Sequence, residues 1–203
     1  NYLIPDYYSK FTCIADRCPI TCCQEWKIGV DADTNRKWKK LQAPETVPEQ
    51  KKNLSAYTIK KDGQRVIGLD SDHRCPFLNS EKLCRLVVAY GDKVLSETCT
   101  TFPREEHRFP THNEKMLMPC CPAVIDLWNK QKSLHFPNVS DTLSDTSDTD
   151  TSVLFLLREK LLNLLDDSSR TIEEELLESF YILQQLYQHQ PLTKELLEDD
   201  FSD

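Results

Sequence analysis

Glycine is scarce here: four residues in a chain of 203. That excludes a Gly-rich dinucleotide loop, a phosphate-cradling P-loop and a Gly-flanked serine elbow, none of which appears in the sequence. The opening residues, NYLIPDYYSKFTCIA, carry no basic segment followed by an apolar run, so no signal peptide is read there, and no later stretch is apolar enough to span a membrane. The expected compartment is the cytoplasm. Nucleic acid is not the expected partner, because the net charge is −8, the pI is about 5.2 and the basic residues form no single stripe. The C-x2-C knuckle of zinc ribbons is absent. So is a C-x3-C-x2-C loop: Cys18 and Cys22 have the first gap, but Glu25 stands three beyond Cys22.

Cysteine, by contrast, is abundant, with nine residues. Cys13, Cys18, Cys22 and Cys23 fall within one short stretch as C-x4-C-x3-C-C, followed by Cys75, Cys84, Cys99, Cys120 and Cys121. Cysteines used as small apolar groups scatter through core elements, whereas thiolates gathered on a turn-rich stretch can converge on a soft metal. In a reducing cytoplasm they would not persist as a disulfide framework. A disulfide scaffold would suit a secreted chain, the only setting in which the Asn138-Val139-Ser140 sequon would matter. One cubane or one structural zinc takes four thiolates, so the count allows two sites, or one site and additional thiols.

Charge divides the chain. Residues 1 to 138 carry 21 Lys+Arg and 17 Asp+Glu, a net of +4; residues 139 to 203 carry 4 and 16, a net of −12. Basic surroundings offset the residual negative charge of a thiolate-bound centre. The Ser/Thr/Asp tract 138 to 152 has one leucine and reads as a linker, giving a cysteine-rich domain over 1 to 137 and a helical region over 153 to 203.

Local signals fill in the elements. Trp26 to Val30 alternates like a short strand, and Asp31 or Asp33 can cap a helix through Trp38 and Leu41. Strand-like runs at Ala56–Lys60 and Gln64–Leu69 flank Asp62-Gly63, a hairpin turn. A helix is expected through Leu83, Leu86, Val87 and Tyr90, ended by Gly91, with a second short helix reaching Cys99. Thr171 and Glu174 match a capping box ahead of Ile172, Leu176, Phe180, Leu183 and Tyr187 at helical spacing, a stripe expected to pack in a core or between domains. A final helix is expected near Pro191–Asp199.

The order C-x4-C-x3-C-C-x-x-W (Cys13 to Trp26), C-P-F-L-N-x-x-x-L-C (Cys75 to Cys84), L-x-x-T-C-T-T-F-P-R (Leu95 to Arg104) and C-P-A-V (Cys121 to Val124) resembles the bacterial flagellin lysine-N-methylase family, within a wider group of cysteine-cluster, zinc- or iron-chelating proteins. Pro5-Asp6-Tyr7-Tyr8, with Phe11, Cys13 and Ile14, also resembles that family's start. The resemblance covers roughly residues 5 to 128. It implies a cytoplasmic enzyme that methylates flagellin lysines with S-adenosylmethionine and contains a [4Fe-4S] cluster. Eight cysteines match its pattern as metal ligands: Cys13, Cys18, Cys22, Cys23, Cys75, Cys84, Cys99 and Cys121. Cys120 stands where the family carries a small residue, and Ala123 where it usually has glutamate.

No catalytic residue is assigned by the sequence. Methylation requires a neutral lysine amine in line with the methyl group. An aromatic channel for it would draw on Trp26, Tyr57, Tyr90 and Phe102, and an acceptor on Asp70, Asp72 or His73. Arg104 and Trp26 are the expected cofactor contacts, Arg104 through a fork that suits a carboxylate or cluster charge. The expected fold is mainly α with a small β hairpin, an irregular cysteine-rich N-terminal layer around a metal centre, and a helical C-terminal part. The alternative function is a non-catalytic metal-binding (Fe-S or Zn) module that docks a protein.

Overall fold

The computed structural model describes residues 1–110, 112–131, 149–166, 169–188 and 191–200. Among them are five strands and seven α-helices: β1 (Tyr2–Leu3), α1 (Ala32–Trp38), β2 (Thr58–Lys61), β3 (Gln64–Ile67), α2 (Arg85–Tyr90), α3 (Glu97–Thr101), β4 (Arg104–Arg108), β5 (Asn113–Leu117), α4 (Pro122–Asn129), α5 (Thr149–Leu164), α6 (Ile172–Gln188) and α7 (Lys194–Asp200). The expectation of a mainly helical chain with one hairpin is therefore corrected to a mixed α/β fold with two small sheets. The unanticipated sheet has the order β1-β5-β4. Its strands read REEHR and NEKML. Charged, helix-favouring residues fill them, so no apolar alternation announces the pairing.

The β2–β3 hairpin lies where the Asp62-Gly63 turn places it, pairing Thr58 with Ile67 and Lys61 with Gln64. Both turn residues have positive φ, 50° at Asp62 and 75° at Gly63, the left-handed pair that a tight hairpin needs. The Trp26–Val30 segment runs antiparallel to β3: Ile67 N–H donates to the Ile28 carbonyl and Val30 N–H to the Arg65 carbonyl, each at 2.9 Å. Gly29 is required there by space, since a Cβ would meet Thr98 Oγ1 at 2.8 Å. Asp31 caps α1 by accepting from Thr34 N–H at 2.8 Å. The helix stops at Trp38, short of Leu41, and the buried indole donates to the Val94 carbonyl at 2.8 Å.

Ile28, Val30, Trp38, Val47, Leu54, Tyr57, Ile67, Phe77 and Leu86 form the larger core cluster. Burying a side chain of this size stabilises by about 1.5–3 kcal/mol relative to exposure, before entropy is counted. A second cluster joins Tyr7, Phe11, Leu117, Cys121 and Val124. Both lie in the compact unit formed by Tyr2–His107 with Glu114 onward through α4.

The other compact unit comprises α5, α6 and α7 with Arg108–Asn113. Val153, Ile182, Leu186 and Leu197 form its core, and Phe155 meets Phe109 edge-on at 5.0 Å. The capping box at α6 is present: Glu174 N–H donates to Thr171 Oγ1 at 3.3 Å and Thr171 N–H to Glu174 Oε2 at 3.0 Å. The expected linker lies outside the described residues as far as 148, as does the sequon; residues 149–152 belong to α5. Among the described residues, no helix is long and apolar enough to cross a membrane.

Candidate thiol-rich site

Backbone pairing and helix caps bring cysteines to one edge of the larger core. Cys22 and Cys23 lie on the irregular stretch before the Trp26–Val30 segment. Cys75 is held against that stretch by its own N–H, which donates to the Cys23 carbonyl at 2.7 Å, and by a bridge between Gln24 and Arg74. Cys84 is the N-cap of α2, fixed by a bridge to Leu78. Cys99 sits in α3, whose cap Ser96 accepts from the Cys99 N–H.

Cys75 is buried within the core cluster, with Cys23, Cys84 and Cys99 packed against it. Cys22 is exposed but within electrostatic reach of Cys75, Cys84 and Cys99. All nine thiols are free. The Cys23 thiol donates to Cys22, which holds Cys22 below the ordinary thiol range and Cys23 above it. Burial pushes Cys75, Cys84 and Cys99 up, and charge on neighbouring sulfurs adds to the effect. These are thiols that ionise with difficulty unless a cation joins them.

Cys13, Cys18 and Cys121 form a separate group. Cys121 belongs to the second core cluster and caps α4, and burial raises its pKa, with smaller contributions from Cys18 and Cys13. Cys120 is exposed. The eight predicted ligands thus fall into two neighbourhoods instead of one. Among the described residues, no three His, Cys, Asp or Glu side chains form a group that could hold a metal ion as they stand, so the expected layer around a metal centre is also corrected. Side chains anchored separately to core, helix cap and loop do not close on one point by packing alone.

The other predicted residues are placed less favourably for chemistry. Arg104 stacks on Phe11 and Tyr8, its guanidinium 5.1 and 5.9 Å from the ring centroids. Trp26 donates from Nε1 to the Cys22 carbonyl at 2.6 Å and lies against Phe102 at 5.3 Å, so it buttresses the cysteine stretch. Tyr57 is a core residue whose hydroxyl donates to the Glu49 carbonyl at 2.6 Å. Tyr90 donates to the Gln42 carbonyl. Asp70 accepts from the N–H groups of Asp72 and Arg74, both at 2.9 Å, and so shapes the turn before Cys75; His73 occupies positive φ in that turn. Of the four predicted aromatics, Trp26 and Phe102 meet, whereas Tyr57 belongs to the core cluster.

Arg85 was not singled out by the sequence reading. It follows Cys84 directly, and its Nε is buried with no hydrogen-bond partner. A basic residue next to a matched cysteine was the signal available. An open groove of about 430 Å³ is lined by Gly29, Val30, Asp31, Gln64, Arg65, Glu97, Thr98 and Thr101. It contains no cysteine, though α3 borders it and carries Cys99.

No protein-family model and no solved structure matches the chain. It is 28% identical over 174 residues to a protein named Lysine-N-methylase from Salmonella typhimurium strain LT2, a match covering 79% of this chain and 40% of that relative. A Lysine-N-methylase of Salmonella choleraesuis matches to the same extent. The Flagellar biosynthetic protein FliU of Salmonella muenchen is 28% identical over 131 residues, covering 59% of this chain and 72% of FliU. The chain spans about two fifths of the length of the two methylases. By these matches the chain is similar to proteins named lysine-N-methylase and FliU, in keeping with the resemblance carried by its cysteine order.

Proposed function

We propose that this chain serves S-adenosylmethionine-dependent methylation of flagellin lysines in the cytoplasm, with a [4Fe-4S] cluster held by its thiols. The observation that carries the reading is the gathering of five free thiols, Cys22, Cys23, Cys75, Cys84 and Cys99, at one edge of one core, in a chain related to lysine-N-methylases. The donor chemistry fits: soft, reduced, partly buried sulfur, with no disulfide to break. Cys22, Cys75, Cys84 and Cys99 would be the ligands. Cys22 interacts with each of the others, and Cys23 would support it by its S–H donation.

When bound, the cluster would supply a redox-capable anionic centre. Arg85, next to Cys84, has a buried Nε without a partner that would suit an anionic centre, and Trp26 fixes the Cys22 carbonyl. The thiols must lose their protons for a cluster to assemble, and burial makes that hard until metal charge offsets it.

Anaerobic purification, iron and sulfide analysis and a visible spectrum test the cluster. Incubation with S-adenosylmethionine and flagellin, read by mass spectrometry of lysine methylation, tests the transfer. About four irons and four sulfides per chain with methyl transfer would support the reading. A metal-loaded chain inert toward flagellin would support the metal-binding, partner-docking module instead.

A further inference from the structure

Exposure alone does not name a partner. On α6 the stripe expected to be core, Ile172, Leu176, Phe180, Leu183 and Tyr187, is exposed, with Ile182 and Leu186 buried in its place, and nothing described beside it selects an occupant. The outer edge of the Trp26–Val30 segment does select one. Ile28 C=O and Val30 N–H are engaged with β3, and alternation along a strand turns the main-chain groups of Lys27 and Gly29 to the opposite side. Among the described residues those groups have no hydrogen-bond partner; Lys27 is exposed and Gly29 half-buried. The segment is thus a third strand beside the β2–β3 hairpin, with N–H and C=O groups repeating along an open edge. Another extended main chain presents acceptors and donors in the matching order.

The open groove of about 430 Å³ adds a charge to that edge. Gly29, Asp31, Glu97 and Thr98 line it, and α3 approaches so closely that a Cβ at position 29 would meet Thr98. The cations of the edge and groove are engaged: Lys27 pairs with Asp62, and Arg65 donates to Thr58 Oγ1 at 2.7 Å. Asp31 accepts N–H groups on both carboxylate oxygens. Glu97 is different: its side chain is exposed, and among the described residues its carboxylate has neither a hydrogen bond nor an ion pair. It is left to receive a cation from whatever lies along the edge. We infer that the Lys27–Gly29 edge and Glu97 bind an extended, lysine-bearing segment of the protein substrate by strand addition. The choice of lysine rests on the methylation reading, in which Cys99, carried by the same helix as Glu97, is a cluster ligand.

The test uses the full chain and a fluorescein-labelled Thr/Val peptide of about eight residues with one central lysine. Two further peptides are N-methylated on the main chain at alternate residues, each blocking one edge of the strand. Fluorescence anisotropy should show saturable binding of the parent, with at least one blocked peptide about tenfold weaker or more. Norleucine in place of the lysine should weaken binding about twofold to fivefold, and added salt should shrink that difference. Glu97→Gln, which keeps the N–H that Asp31 accepts, should weaken the lysine peptide by the same factor and leave the norleucine peptide unchanged. Glu45→Gln, at an exposed acid outside the groove, should change neither. Circular dichroism should show that both variants stay folded. Equal binding of the parent and both blocked peptides, or binding indifferent to Glu97→Gln, would overturn the inference. Mass spectrometry of flagellin after incubation with S-adenosylmethionine separates the two readings. Transfer by the native chain that Glu97→Gln leaves untouched would overturn the docking and leave the methylation reading standing. Lysine-selective, Glu97-dependent peptide binding without transfer would support the docking and count against methylation instead.

Discussion

The N–H of Cys75 donates to the carbonyl of Cys23 across 2.7 Å. One main-chain bond thus joins two cysteine motifs distant in sequence, and it sets the Cys75 side chain into the core while Cys23 packs against the same edge. The thiol-rich site is built by backbone pairing first and side chains second.

That order gives a prediction about the ligands. Serine at Cys22, Cys75, Cys84 or Cys99 should each remove most of the iron and the visible colour of anaerobically prepared protein. Cys120→Ser should keep both, since that thiol is exposed and outside either group. Cys13→Ser should also keep the colour, because Cys13 neighbours Cys121 and Cys18. Loss of iron in Cys120→Ser would contradict the assignment.

Arg85→Met should lower cluster retention while leaving far-UV circular dichroism unchanged, and Arg85→Lys should restore part of it. The basis is the unpaired, buried Nε one residue beyond Cys84. Charge-assisted donation to a thiolate-bound centre is strong where water is excluded. Iron retention during timed exposure to a chelator is the measurement. Identical loss curves for Arg85→Met and the native chain would sink the idea.

Gly29→Ala should destabilise by about 1–3 kcal/mol, the usual cost of overpacking, because its Cβ would lie 2.8 Å from Thr98 Oγ1. Gly29→Ala combined with Thr98→Ala should recover most of that loss. Urea unfolding of the two variants and the double mutant measures the coupling.

Asp31 links α1 to α3: its carboxylate accepts from Thr34 N–H and, at 3.0 Å, from Glu97 N–H. Partial burial pushes its pKa up, but the donated hydrogen bonds outweigh this and hold it at about 2, below the usual 3.8. A depressed folded-state pKa means that the stabilisation is complete above the unfolded value and is lost as pH falls through the folded one. Asp31→Ala should cost about 1 kcal/mol at neutral pH. The gap from the native chain should close as pH drops from about 4 to about 2. A gap independent of pH across that range would show that the carboxylate charge contributes nothing.

Ser179→Ala should stabilise the α5–α7 unit by up to about 1 kcal/mol. Ser179 Oγ is buried without a partner and lies mid-helix, where alanine is the better helix former. A rise in the melting temperature of the full chain checks it; a fall would mean that the hydroxyl has a bound water or other acceptor.

Several elements were legible because their signals are local. Asp62-Gly63 supplies the left-handed turn that a hairpin demands, Asp31 and Thr171 supply side-chain oxygens at helix starts, and Gly91, with φ of 76°, ends α2. Of the cysteines whose spacing stood out, only Cys22 and Cys23 join the thiols at the larger core, while Cys13 and Cys18 lie near Cys121. The β4–β5 pair was not legible, because Arg104–Arg108 alternates in burial without alternating in polarity, and Asn113–Leu117 is half-buried throughout except for the buried Leu117. The stacking of Arg104 on Phe11 and Tyr8 was not legible, because those rings reach it only through the fold.

Sequence by itself determined what depends on near neighbours: caps, the hairpin turn, the amphipathic period of α6 and the supply of soft ligands. Tertiary structure decided which thiols share a neighbourhood, dividing Cys22, Cys23, Cys75, Cys84 and Cys99 from Cys13, Cys18 and Cys121. It also decided which flank of α6 is buried. Periodicity shows that a helix has an apolar arc; only the direction from which α5 and α7 approach selects the part of that arc that leaves water.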